Sequence, residues 1–101
     1  MSESPLKDAL GLVYGDRNKA YGPPADDYAC TAAIWRALIA RRYGVDIALS
    51  ADFACLMMVA VKLSREAHHH QPDNLVDAAG YVECAALCIE RGEKYGPSSG
   101  R

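Results

Sequence analysis

Apolar side chains recur along this chain at helical rather than strand spacing. Leu6, Leu10 and Val13 follow Ser4 as a cap and Pro5 at the first helical position, and they predict a helix over Pro5 to Tyr14 that Gly15 ends. From Asp16 to Pro24 two prolines, a glycine and several charged residues predict a loop. A second helix is predicted over Asp26 to Tyr43, where Tyr28, Ala32, Trp35 and Ile39 share one stripe and Gly44 closes the end. Arg41 and Arg42 suit the negative pole of that helix. Ser50 caps a third helix with Asp52 in its first turn; its apolar run, Phe53 to Val61, gives way to polar residues at Lys62. His68 to Pro72 reads as a turn. Asp73 then caps a fourth helix reaching Glu93, with Leu75, Ala79, Val82, Ala86 and Ile89 as a seam of near-heptad spacing. No strand alternation and no internal repeat is visible. The pattern predicts an all-α, four-helix antiparallel bundle over residues 1–95, with 96–101 a disordered tail.

The third helix changes this picture. A helix that is apolar all round must be buried all round, and a bundle cut from 101 residues is too thin to enclose one. A second copy is the expected cover, so the chain is read as a homo-oligomer. Composition adds limits. With 11 basic and 13 acidic residues the formal net charge is −2, which gives no basic excess for nucleic acid. The opening residues, Met1 to Pro5, lack the basic and apolar pattern of a signal peptide, and the longest apolar run is too short to span a membrane. Cys30, Cys55, Cys84 and Cys88 lie in helical apolar segments and read as reduced, buried thiols of a cytoplasmic protein.

Chemistry-bearing residues converge at the histidine turn. An antiparallel third and fourth helix bring Lys62, Arg65 and Glu66 beside Asp73 and Asp77, which are four apart and share a face. Two such carboxylates suit a hard divalent ion that also meets substrate phosphates, while Lys62 and Arg65 would neutralise phosphate oxygens. The plainer alternative makes Asp73 an N-cap and Asp77 the ion-pair partner of Lys62 or Arg65. In the predicted loop, Arg17 and Lys19 offer phosphate contacts and Tyr21 offers a ring to a nucleobase. The alternative there is a structured connector with its charges in water. Tyr28 and Trp35 read as packing. The histidine run reads as solvated, since Cys84 lies too far along the last helix to join it in a metal site. No nucleophilic triad and no glycine-rich phosphate loop is present.

Several strings together resemble a known family. Gly15-Asp16-Arg17 followed by Tyr21-Gly22-Pro23, the helix with Trp35, Met57-Met58 with Lys62 and Arg65, and Asp73 with Asp77-Ala78-Ala79-Gly80-Tyr81 resemble a small phage-borne helical family described as MazG-like. The likeness spans residues 10–90 and extends more loosely to the all-α nucleoside triphosphate pyrophosphatases. That resemblance implies a magnesium-dependent, or manganese-dependent, pyrophosphohydrolase that cuts nucleoside triphosphates to monophosphate and pyrophosphate as a dimer or tetramer, here in a host cytoplasm. It implies Asp73 and Asp77 as metal ligands, with Glu66 nearest the other acidic motif; joined to the residues read above, this makes Asp73, Asp77 and Glu66 the metal set, Glu66 and Asp77 catalytic, and Arg17, Lys19, Tyr21, Lys62 and Arg65 substrate contacts. One motif departs from the pattern: where two spaced glutamates are expected, this chain reads Lys62-Leu63-Ser64-Arg65-Glu66. A non-catalytic nucleotide- or protein-binding module is therefore the alternative reading.

Overall fold

Every regular element in the computed structural model is helical; the described residues are 4–95, with side chains described to residue 92, and no strand occurs among them. Helix α1 spans Pro5–Gly11, with the Ser4 hydroxyl accepting from the Lys7 amide at 3.4 Å. Gly15 does not end it. The backbone widens into a π turn over Leu12–Asp16 and runs without a break into α2, Arg17–Tyr21. The expected Asp16–Pro24 loop is thus corrected to a two-residue corner, Gly22 and Pro23. The physical reason is that Arg17, Lys19 and Ala20 are good helix formers, so the chain stays helical until proline removes an amide donor. Gly22, at φ 78, makes the corner, and Pro24 opens the next helix at the position that tolerates proline.

Helix α3 spans Pro24–Tyr43 and ends at Gly44 in the left-handed region, φ 67, its amide bonded to the Ala40 carbonyl at 2.9 Å. Arg36 donates from Nε and one Nη to the two Asp46 carboxylate oxygens, at 2.6 and 2.8 Å, and so tethers the following connector to α3. Helix α4, Ala51–His68, is capped by Ser50 as expected. Helix α5 spans Pro72–Tyr95, and here the predicted cap is corrected: Asp73 is the second helical residue, behind Pro72. The first turn is closed by the Gln71 carbonyl, which accepts from the Asn74 amide at 2.9 Å. The tail, 96–101, lies outside the described residues.

Helices α4 and α5 form the main packing unit, and their partners pair in opposite order: Cys55 meets Cys88, Lys62 meets Asp77, and Glu66 meets Asn74. The core joins Val13, Tyr28, Ala32, Ala54, Cys55, Tyr81, Cys84, Ala85 and Cys88, with Trp35 packed against its edge. Most of these residues are small, so the helices approach closely. Near Gly80, a Cβ would stand 3.6 Å from a Val13 methyl and 3.9 Å from the Ala9 Cβ, which brings the first helical stretch onto α5. Three thiols are buried and free, but Cys30 is exposed, contrary to expectation. It projects from the side of α3 opposite Tyr28 and Ala32. The apolar run of α4 is half covered: Ala54 and Cys55 face inward, while Phe53, Leu56 and Leu63 are about half exposed. No described helix is long and apolar enough to cross a membrane.

Candidate functional site

Arg17 follows the π turn directly, as the first residue of α2. Its guanidinium carbon stands 5.4 Å from the centre of the Tyr81 ring, within reach of a cation–π attraction. Tyr81 in turn meets Tyr28 of α3 edge-on, with ring centres 6.0 Å apart and an 82° angle between planes. One turn before Tyr81 on α5, Asp77 accepts the Lys62 ammonium of α4 at 2.9 Å, and only 15% and 20% of the two side chains remain exposed. Arg17, Lys62 and Asp77 therefore come from three elements to one stretch of α5. Burial opposes the charge on Arg17, but Tyr81, then Tyr28 and Asp77, outweigh it and hold its pKa above the ordinary value. Burial, with the neighbouring Tyr81, pushes the Tyr28 hydroxyl far up. Burial likewise raises the Cys84 thiol beneath Arg17 to about 11, so it stays protonated and unreactive at neutral pH.

Two hollows adjoin Arg17. The one beside Val76, Asp77 and Tyr81 measures about 10 Å³ and the one beside Asn18, Asp27 and Tyr28 about 20 Å³. Each has room for about one water molecule. Anything larger than water stays outside these hollows.

The turn between α4 and α5 is a second polar centre. One Glu66 oxygen accepts from the Gln71 amide at 3.1 Å and from the Asn74 side-chain amide at 3.2 Å, and the other meets the His70 ring. His70 first, and then these two N–H donors, hold the Glu66 carboxyl below its ordinary range. Asp73, Arg65, Lys19 and Tyr21 are all exposed. Of the residues singled out in the sequence, the structure thus gathers Arg17, Lys62 and Asp77, directs Glu66 to the turn, and leaves the other four at the surface. Among the described residues no group of three or more His, Cys, Asp or Glu side chains is close enough to hold a metal ion.

Magnesium needs carboxylate oxygens free to enter an octahedral shell. Here the Asp77 carboxylate meets an ammonium, and Glu66 satisfies three donors. The donor set of the single chain does not fit that ion. Sequence reasoning passed over Tyr81 as a partner of Arg17, and His70 and Asn74 as the holders of Glu66. The signal for Tyr81 was its place four residues after Asp77, on the same helical face. His70 stands at the same interval from Glu66.

Comparison with known proteins adds one relative and a family. The gene 55 protein of Mycobacterium phage D29 is 30% identical over 92 residues, which cover 89% of this chain and 56% of that protein. The chain thus spans little more than half the length of that relative. No solved structure matches it. A family match runs over residues 4–89 and takes in Arg17, Lys62, Glu66, Asp77 and Tyr81. The chain belongs to that family, described as a domain of unknown function, DUF6378.

Proposed function

We propose that the chain is a MazG-like nucleotide-handling domain that holds the phosphates of a nucleoside triphosphate against Arg17, Lys62 and Arg65, without cutting them. The observation that carries this reading is the convergence of Arg17 and Lys62 on the Asp77–Tyr81 stretch of α5. Arg65 follows Lys62 by three residues on α4 and so extends the cationic face towards the turn. Guanidinium groups suit phosphate oxygens because they donate two parallel hydrogen bonds. Lys19 and the exposed Tyr21 ring lie on the same short helix as Arg17, where they suit the rest of a nucleotide lying over the cluster. In this reading the helices form a four-helix antiparallel bundle, and copies associate through the exposed α4 stripe of Phe53, Leu56 and Leu63. The relative is a phage gene product, and a phage-borne protein of this kind would work in the host cytoplasm.

A second reading is the pyrophosphohydrolase, with magnesium or manganese held by Asp73, Asp77 and Glu66. The i, i+4 spacing of Asp73 and Asp77 on α5 favours it. The two readings separate in one experiment. A panel of ribo- and deoxyribonucleoside triphosphates is tested for pyrophosphate release with magnesium or manganese, and for thermal stabilisation of the protein in EDTA. Stabilisation without release supports binding, since a ligand that prefers the folded state raises the melting temperature. Release that vanishes in a folded Asp77→Asn variant establishes the hydrolase. Neither effect, from a folded chain, sinks both.

A further inference from the structure

The clearest disagreement between the chain and its resemblance lies at Asp77, the residue expected to lead a metal site. Its carboxylate is 2.9 Å from the Lys62 ammonium, and both side chains are largely withdrawn from water. The Arg17 charge is also felt at Asp77, which is among the groups that favour it. A divalent ion reaching Asp77 would have to displace the Lys62 ammonium, and like charges repel strongly where water is scarce. Glu66, the expected third ligand, already accepts from the Gln71 amide and the Asn74 side chain, and those hydrogen bonds would have to break to free it.

We infer that Lys62 stands as a built-in cation where a metal-dependent protein of this kind would hold its divalent ion, so that oligophosphate binds here without metal. The inference rests on the phosphate-binding reading above and narrows it. Arg17, Lys62 and Arg65 bring three positive charges to the neighbourhood of Asp77, the carboxylate that Lys62 already pairs. The ammonium does two jobs that a metal would do: it neutralises Asp77 and it presents positive charge to a phosphate oxygen. It differs in being permanently attached, so phosphate affinity does not depend on divalent ions in solution.

Lys62 holding the metal position has a testable corollary. Removing its charge while keeping the bulk of its stem, in Lys62→Met, leaves Asp77 free one turn from Asp73, and a divalent ion then has two carboxylates on one face. Manganese alone, counted by electron paramagnetic resonance, is titrated into the full chain, into Lys62→Met, into Lys62→Arg, and into Lys62→Met combined with Asp77→Asn. The expected result is no saturable manganese in the wild type or in Lys62→Arg, a gained site in Lys62→Met, and its loss in the double variant. Saturable manganese on the wild-type chain overturns the inference, and so does a folded Lys62→Met chain that gains no site. Because the wild-type titration decides by itself, a Lys62→Met chain that fails to fold leaves the inference falsifiable. Inorganic pyrophosphate in EDTA, followed by calorimetry, tests the reading underneath: binding by the wild type is expected, and its absence sinks the phosphate site whatever manganese does.

Discussion

Neighbouring positions on α4 are packed in opposite ways. Ala54 and Cys55 are fully enclosed in the core, whereas Phe53 and Leu56, one residue to either side, are each 49% exposed. Helix α3 repeats the arrangement, with Ala32 inside at 2% exposure and Ile34 and Leu38 outside at 54% and 61%. Large apolar residues ordinarily head the buried set and small ones fill between them. Here the largest fully buried side chain is that of Cys55. Apart from Tyr28 and Tyr81, the interior gains its contacts from close approach of backbones over small residues, and many of the voluminous apolar groups remain as outward surface. The proposed association with a second copy would use such a surface, whose extent on two helices exceeds scattered single residues.

The inner seam is the place where one atom group too many does most harm. Ala54→Leu forces three extra carbons into the core at a position with no exposed surface, and the expected cost is about 1–3 kcal/mol. Urea unfolding read by circular dichroism measures it. A neutral outcome would show that the helices can part without loss, and the contrast between inner and outer faces would weaken. The outer stripe predicts the reverse. Phe53→Gln combined with Leu56→Gln removes apolar surface that touches little within the chain, so unfolding of the separated chain should shift by no more than about 0.5 kcal/mol per site. In sedimentation, the same pair of changes is expected to abolish self-association of the wild type. A monomeric wild type, or a variant that still associates, would remove this stripe from any interface.

How much of this was legible in the sequence follows from the kind of signal each feature leaves. The caps Ser4 and Ser50, the stop at Gly44 and the turn before Pro72 are local chemistry, and the structure has them where the residues place them. The stretch from Gly15 to Tyr21 misled because its charged residues and flanking glycines resemble a connector, yet none of them forbids a helix. Only Pro23 does, and the π turn that absorbs Gly15 has no compositional mark. At the site, the sequence brought Lys62 and Asp77 to the same end of the hairpin, because antiparallel order is fixed by a short turn. Which charges pair there was left open between two alternatives, and the choice depends on side-chain reach across helices, which spacing along one helix does not specify. The approach of Arg17 to Tyr81 is of this second kind, a contact between residues 64 positions apart in the chain.

The turn end of the hairpin completes the contrast, since it is held by polar bonds and not by packing. His70, the Gln71 amide and the Asn74 side chain all favour the charged form of Glu66, so its folded pKa lies below the ordinary 4.5 that it regains on unfolding. Between those two values the unfolded chain binds more protons, so stability falls with pH there. The contribution is complete above 4.5 and is lost as pH falls through the folded value. Glu66→Gln keeps an acceptor but cannot titrate, and its unfolding midpoint should therefore decline less steeply than that of the wild type from about pH 6 to pH 3. The difference should be the smallest of these effects, because His70 is 63% exposed and water and salt screen the pair. Added salt should narrow it further. Parallel slopes for the two proteins would mean that the carboxylate does not tie the turn, and Glu66 would then be free to face a ligand. That outcome would return to the hairpin end the acidic residue that binding without metal leaves unused.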